Sequence, residues 1–410
     1  MCSANEFVLE AAVERAVRKD EYLLIEATSN QVNQYGGYTG MLPVDFAVHV
    51  RSLAESKGLA QEKLILGGDH LGPLVWAEEN EKEAMEKAEV LVKTFVRAGF
   101  SKIHVDASMR LGGDPRNGKL SQRLVAQRTV RLIRAAEEAF RETGPWKYPL
   151  AYVVGSEVPI PGGARETESM AVTRPEELRE FWSLFLEELK NQGMEDLRRQ
   201  VIAVVVQPGA EFQELSVEEF RAERAKALAE EIRRWDGVIY EGHSTDYQTE
   251  ECLRAMVESG VGILKVGPEL TFALREGIFA LAAAEETLAE VHRFETSGIR
   301  SVIEHSMLDK PARWQSHYHG TEPELHFLRQ FSYSDRIRYY WNEEPVCLAL
   351  QRLISNLERN PIPMVLLAQI LPAQYQYVRR GLLKNEPRAL LKSCVTEVLD
   401  KYGHAVVRSL

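Results

Sequence analysis

An α/β architecture is what this chain predicts: a TIM (β/α)8 barrel carrying a C-terminal helical extension. Three observations lead there. Short apolar, β-branched runs alternate with long amphipathic stretches. The runs are continuously apolar, the pattern of strands buried on both faces of a parallel sheet. Most of them end in a charged or amide side chain followed closely by Gly, Ser or Pro. Repeated strand–helix units mean α/β. A barrel gathers every C-terminal strand end on one face, where an open sheet would spread them along an edge.

Seven strands are read in order, at residues 22–28, 63–68, 102–106, 150–155, 201–207, 237–241 and 262–266. Each is a short run of Val, Ile, Leu or Tyr. Helical periodicity fills the gaps at 79–98, 121–142, 175–191, 217–235 and 249–259, and another helix starts after Gly267-Pro268. An eighth strand is expected ahead of the first helix, with Met1–Ala4 as its last residues. Eight strands would close a barrel of roughly 250–300 residues, so residues 1–296 are assigned to it. From Arg300 onward the strand rhythm stops and aromatics, Arg and His accumulate. Residues 297–410 are therefore read as helical and packed on the barrel, because no Gly/Ser- or Pro-rich linker separates them.

Composition narrows the function classes. Of 410 residues, 45% are hydrophobic and 27% charged, as in ordinary globular proteins. The net charge of −11 argues against nucleic acid as a partner, since neutralising phosphates takes a basic face. A small phosphorylated substrate needs only one local basic pocket and stays allowed. No run reaches the ~18 apolar residues of a membrane span, and no signal peptide is visible, so a cytoplasmic location is expected. The four cysteines (Cys2, Cys252, Cys347 and Cys394) lie far apart, and reduced thiols are the expectation. The glycine-rich stretch at 36–40 has no Lys-Ser/Thr after it, which disfavours a P-loop kinase.

Chemistry is sought at the strand ends. Asp69-His70 closes an apolar strand before a Gly-Pro turn; a His there can ligate a divalent metal while the Asp moves a proton. A capping Asp beside a satisfied His is the competing structural reading. Glu241-Gly-His243-Ser244-Thr-Asp246 is denser, two ligand types flanking a Gly and then two hydroxyls and a carboxylate. It also suits a strand end passing into a helix cap, and the two roles are compatible. Glu157, before a Pro- and Gly-rich loop, suits a ligand, a general base or a loop salt bridge. Glu26 near the end of the first strand, and Ser29, Asn30 and Gln34 after it, are substrate-binding candidates. Asp106 and Ser108 orient neighbours by hydrogen bonds, and Gln207 suits substrate hydroxyls. Lys265 precedes a helix whose N-terminus could hold an anion. His305, His317, His319 and His326 read as surface or structural groups. The basic aromatic stretch at 336–341 reads as packing against the barrel.

Long blocks add a resemblance that covers essentially the whole chain: LLIEATSNQVNQYGGYTGM, LILGGDHLGPLVW, AGFSKIHVDASM, SEVPIPGG, VVVQPGAEF, HSTDYQT, LKVGPELTFALREGIFALA and YSDRIRYYW. Together they resemble the tagatose-bisphosphate aldolase non-catalytic subunit family, which also contains ketohexose and ketohexose-phosphate 4-epimerases. Chains of that family begin somewhat earlier, so most of the first barrel strand is expected to be missing here. The family in turn is similar to the class II, metal-dependent aldolases. Asp69-His70 resembles their acid/base Asp with its ligand His. The stretches around Asp106-Ala-Ser108 and Ser156-Glu157, and that from Lys265 to Leu270, resemble further blocks of theirs. Where those aldolases place further histidines, this chain has Gln207 and Glu241. The resemblance therefore implies that a three-His site is unavailable, and that His70, Glu241 and His243, with Glu157 as a further candidate, hold Zn, Mn or Co.

What the resemblance implies about activity is a metal-dependent isomerase: a class II aldolase-type epimerase that inverts C4 of tagatose 6-phosphate or fructose 6-phosphate by retro-aldol and aldol steps. Asp69 with Glu157 or Glu241 would move the protons. The alternative it implies is a stabilising subunit without turnover, partnered by a catalytic tagatose-1,6-bisphosphate aldolase. A homo-oligomer is expected under either.

Overall fold

The computed structural model describes residues 1–115, 120–144, 148–155 and 171–406. Its centre is a curled, seven-stranded parallel sheet. The strands are β1 (Leu23–Thr28), β2 (Leu64–Leu71), β3 (Lys102–Val105), β4 (Ala151–Val154), β5 (Val201–Val206), β8 (Ile239–Gly242) and β9 (Val261–Leu264), hydrogen-bonded in that order. Two short strands, β6 (Glu211–Phe212) and β7 (Val217–Glu218), form a separate antiparallel hairpin between β5 and β8. The expected helix at 217–235 is shorter for that reason: Val217 and Glu218 pair with β6, and the helix spans Ala222–Ile232.

The expected ring of eight strands is observed as seven. Met1 and Cys2 lie between the two outer strands: Cys2 forms a parallel bridge with Glu26 of β1 and donates its N–H to the Val266 carbonyl beyond β9 (2.9 Å), while Glu26 donates its N–H to the Met1 carbonyl (2.9 Å). These contacts make a bridge, not a ladder, so no eighth strand forms among the described residues.

Local chemistry explains the helices around the sheet. In Glu81–Arg97, Asn80 caps the N-terminus by accepting the Glu83 N–H, and Ala84, Ala88, Leu91 and Phe95 bury one face. The helix Glu6–Lys19 starts the same way, with Asn5 accepting N–H groups from Phe7 and Val8. The long helix Pro268–His292 begins with Pro, which needs no N–H partner there. Residues 299–406 carry only helices and short helical turns. Among the described residues no helix is long and apolar enough to cross a membrane.

The strands run parallel, so their C-terminal ends share one side. Backbone irregularity concentrates there. β2 breaks register with β3 between Gly68 and Leu71. His70 (φ 48°) and Ser244 (φ 55°) adopt the left-handed conformation that side chains seldom tolerate. Such strain persists where surrounding contacts fix it, and it accompanies functional sites.

Candidate metal centre

β3 sets the geometry. Side chains of a strand alternate between faces, so Lys102, His104 and the following Asp106 point the same way, and all three are buried. The bulge in β2 turns Asp69 and His70 toward them. Glu241 and His243 alternate likewise at the end of β8. Asp69, His70, His104 and His243 meet with one ligand atom each, all within 4.8 Å of one another. The three imidazole rings stand edge to face, with centroids 4.8–5.1 Å apart.

The sequence led us to expect two imidazoles and no three-His set; the structure brings in a third, His104, from mid-strand. Periodicity carried the signal: Lys-x-His-x-Asp inside an otherwise apolar strand puts three polar groups on one buried face.

Carboxylates orient two of the rings. Asp106 Oδ2 lies 2.9 Å from His70 Nδ1, and Glu241 Oε1 lies 2.9 Å from His243 Nε2. Each contact leaves the other ring nitrogen for a cation, the usual outer arrangement of a metal-ligating histidine. His104 Nδ1 is 2.8 Å from Asp69 Oδ1 and 3.1 Å from the His70 N–H. The first contact asks for a proton on that nitrogen and the second for a lone pair, and one tautomer cannot supply both. His104 Nε2 is buried with no hydrogen-bond partner among the described residues. A ring nitrogen and a carboxylate converging on one space, beside an orphaned nitrogen, fit a cation.

Beneath the imidazoles runs a buried chain of charge. Lys102 Nζ lies 2.6 Å from both Glu26 and Glu241, and Lys265 Nζ pairs with Glu26 and with Asp69 (2.9 Å). Four buried carboxylates (Glu26, Asp69, Asp106 and Glu241) thus face two lysines. The excess is two negative charges, the complement of one divalent cation.

The protonation equilibria agree with this layout. Burial works to raise the Asp69 carboxyl, but His70, His104 and His243 bring it well below its ordinary range. Burial likewise opposes ionisation of Asp106 and Glu241. His70 nevertheless holds Asp106 at about 2, and Lys102 with His243 holds Glu241 at about 2. Burial lowers His243 and would lower His70, yet Asp69 and Asp106 raise His70 overall. Burial pulls the Lys265 ammonium down to about 8 even though two carboxylates stand beside it.

The group opens into a pocket. Asp69, His70 and His243 line it together with Asn30, Ser244, Asp246 and Lys265 from the sequence-predicted set. Ser29 donates to the His70 carbonyl (3.1 Å) and supports the bulge. Ser108 donates to Asp106 (2.7 Å). Asp246 accepts N–H groups from Gly267 and Glu269 (2.9 Å each) and caps the helix below the pocket. Glu26, Ser29, Asp106, Ser108 and Glu241 lie behind the pocket lining and support the group, whereas two candidates join neither: Gln34 bonds the Lys87 carbonyl, and Gln207 bonds Glu211 and the Gly209 N–H. Glu157 lies outside the described residues. The opposite wall comes from Arg338, Tyr339, Trp341 and Asn342, far along the chain, in a stretch the sequence suggested was mere packing.

Residues 1–407 match the family described as D-tagatose-1,6-bisphosphate aldolase subunit GatZ/KbaZ-like. The fold is similar to that of a protein described as a probable tagatose 6 phosphate kinase from Sinorhizobium meliloti 1021. Identity to it is 39%, 98% of each chain is covered and the TM-score is 0.89. Weaker likenesses include the fructuronate-tagaturonate epimerase UxaE from Cohnella laeviribosi (14% identity, 98% of this chain and 80% of that one, TM-score 0.48). A fructose-bisphosphate aldolase from Campylobacter jejuni is similar at 13% identity, over 88% of this chain and 87% of that one, with a TM-score of 0.41.

Proposed function

The chain belongs to the D-tagatose-1,6-bisphosphate aldolase subunit GatZ/KbaZ-like family, and on that premise we propose that it is a metal-dependent 4-epimerase interconverting fructose 6-phosphate and tagatose 6-phosphate. One observation carries the reading: a buried Asp-His-His-His group at the strand ends, three of whose members line a pocket. A subunit with a purely structural role has no need of such a set.

His70, His104 and His243 would hold the cation, with the Asp69 carboxylate beside it, and a nitrogen-rich set suits Zn, Mn or Co. When bound there, a divalent cation supplies a Lewis acid that polarises a ketose carbonyl. The chain's own groups then handle protons and position. The Asp69 carboxylate takes the proton of the C4 hydroxyl. The C3–C4 bond electrons pass toward the C2 carbonyl, leaving an aldehyde and an enediolate. The aldehyde turns its other face, the bond re-forms, and the C4 oxygen takes a proton from a donor on the opposite side. The sequence pattern alone proposes Glu157 for this proton. Glu241, held between Lys102 and His243, orients that histidine instead. Pocket walls keep the two fragments together, which makes recombination effectively unimolecular. The division near residue 296 belongs to the same proposal: the helical part closes a pocket built on the sheet of an otherwise barrel-like part. The chain's thiols are free, which suits work in the cytoplasm.

The test is turnover by the purified chain with Mn or Zn, following tagatose 6-phosphate formed from fructose 6-phosphate. Activity that vanishes with EDTA and in His70→Ala is expected. The family description favours one other reading, a partner that stabilises a separate aldolase. Absence of turnover with any ketohexose phosphate, together with co-purification of an aldolase, would establish that reading and end the first.

A further inference from the structure

Arg338, Tyr339, Trp341 and Asn342 line the same pocket as Asp69, His70 and His243, and each of the four carries a hydrogen-bond donor. The Arg338 guanidinium makes no ion pair among the described residues. Its partners are the Ser334 and Asp335 carbonyls and the Tyr339 hydroxyl (2.9 Å). The Asp335 carboxylate is engaged elsewhere, by Arg275 (3.0 Å) and by the Thr271 hydroxyl (2.5 Å). Arg336, just behind, bonds the Arg313 carbonyl, the Tyr339 hydroxyl and His317 Nδ1, and makes no ion pair among the described residues. Arg313, Arg336 and Arg338 all lie within 6 Å of the Tyr339 ring centroid. Their combined charge brings the Tyr339 phenol below its ordinary value although burial acts to raise it.

Next to them Trp341 also lines the pocket. It is 6% exposed, and its indole Nε1–H is buried without an acceptor among the described residues. A buried donor without a partner is costly, and so is positive charge gathered with no ion-pairing carboxylate among the described residues. Asn342 adds an amide at the rim. Donors and charge of one sign ask for a ligand rich in acceptor oxygens, and a fork-shaped guanidinium matches a phosphate dianion.

We infer that Arg338, with the Trp341 indole N–H and the Asn342 amide, seats the phosphate group of the substrate. The inference rests on the sugar-phosphate reading above and assigns its anion to the C-terminal helical part, not to the sheet. Carbonyl chemistry and phosphate recognition would then occupy opposite walls of one pocket.

Binding decides it without turnover, so an inactive protein still answers. Mn-loaded full-length chain is titrated calorimetrically with fructose 6-phosphate, fructose and inorganic phosphate. In Arg338→Gln, fructose 6-phosphate affinity should fall by roughly tenfold to a hundredfold while fructose affinity stays within about twofold. Inorganic phosphate should compete with the sugar phosphate in the wild type and lose that ability in the variant. Trp341→Phe keeps the ring bulk and removes one donor, and it should weaken only the phosphorylated ligand; it serves as the second probe if Arg338→Gln misfolds. Equal affinity of the wild type for fructose and its phosphate, or parallel weakening of both sugars in either variant, overturns the assignment. Arg338-dependent phosphate binding in a chain without epimerase activity keeps this inference and discards the epimerase reading.

Discussion

His104 sits in the middle of a parallel strand, where an apolar side chain would ordinarily stand. It is fully buried, and its Nε2 has no partner among the described residues. Its position is what turns the Asp69-His70 dipeptide and the more distant His243 into one group. Removing it should therefore cost more than removing an orienting carboxylate. Asp106→Asn is expected to weaken Mn or Zn binding by about 10- to 100-fold, and His104→Ala by at least as much, read by competition against a chromogenic chelator. Unchanged affinity in His104→Ala would show that the imidazole is only core filling. The same strand shows how far residue patterns speak for themselves. Asp69, His70 and His243 stand at strand ends and were legible there. Lys102 and His104 stand inside a strand, and only the two-residue alternation Lys-x-His-x-Asp marked them.

At the scale of elements, the loop after β8 joins the pocket to the helix Pro268–His292. Asp246 accepts the N–H groups of Gly267 and Glu269. Burial, with the Glu269 carboxylate adding to it, pushes its own carboxyl up to about 6. The folded state thus holds that proton more tightly than the unfolded chain, whose Asp titrates near ~3.9. Stability from this group is fully present below the unfolded value and is lost as pH rises through about 6. Asp246→Asn removes that loss. Urea denaturation of both proteins at acid and neutral pH should show the wild type falling relative to the variant, on the order of 2–3 kcal/mol. Parallel curves would mean that Asp246 ionises freely. Strand and helix positions were mostly readable, because apolar runs and 3.6-residue periodicity are local properties. The β6–β7 hairpin was not, since Val217 and Glu218 look like the start of the following helix until Phe212 and Glu211 pair with them.

Across the whole molecule, the helical segment and the sheet are tied at the pocket itself. Tyr402 donates to the Thr245 carbonyl (2.8 Å), Tyr247 donates to the Tyr333 carbonyl (2.5 Å), and Lys401 pairs with Glu269. Both sides of the site therefore depend on the same set of contacts. The centre carries two uncompensated negative charges, so a divalent cation should stabilise the entire fold. Saturating Mn or Zn at about 100 times its dissociation constant is expected to add about 2.7 kcal/mol, seen as a higher Tm that EDTA reverses. A Tm indifferent to metal would mean that the acidic excess is balanced by protons.

By itself the sequence determined the α/β alternation, the placement of polar groups at strand ends and the Asp-His and Glu-Gly-His pairs, because these follow from local periodicity and residue chemistry. Only the tertiary structure decided that the sheet has seven strands, that His104 completes the group and that Arg338 and Trp341 face it. Those outcomes depend on which distant segments the folded chain brings within a few ångströms of each other, and spacing along the chain does not encode that distance.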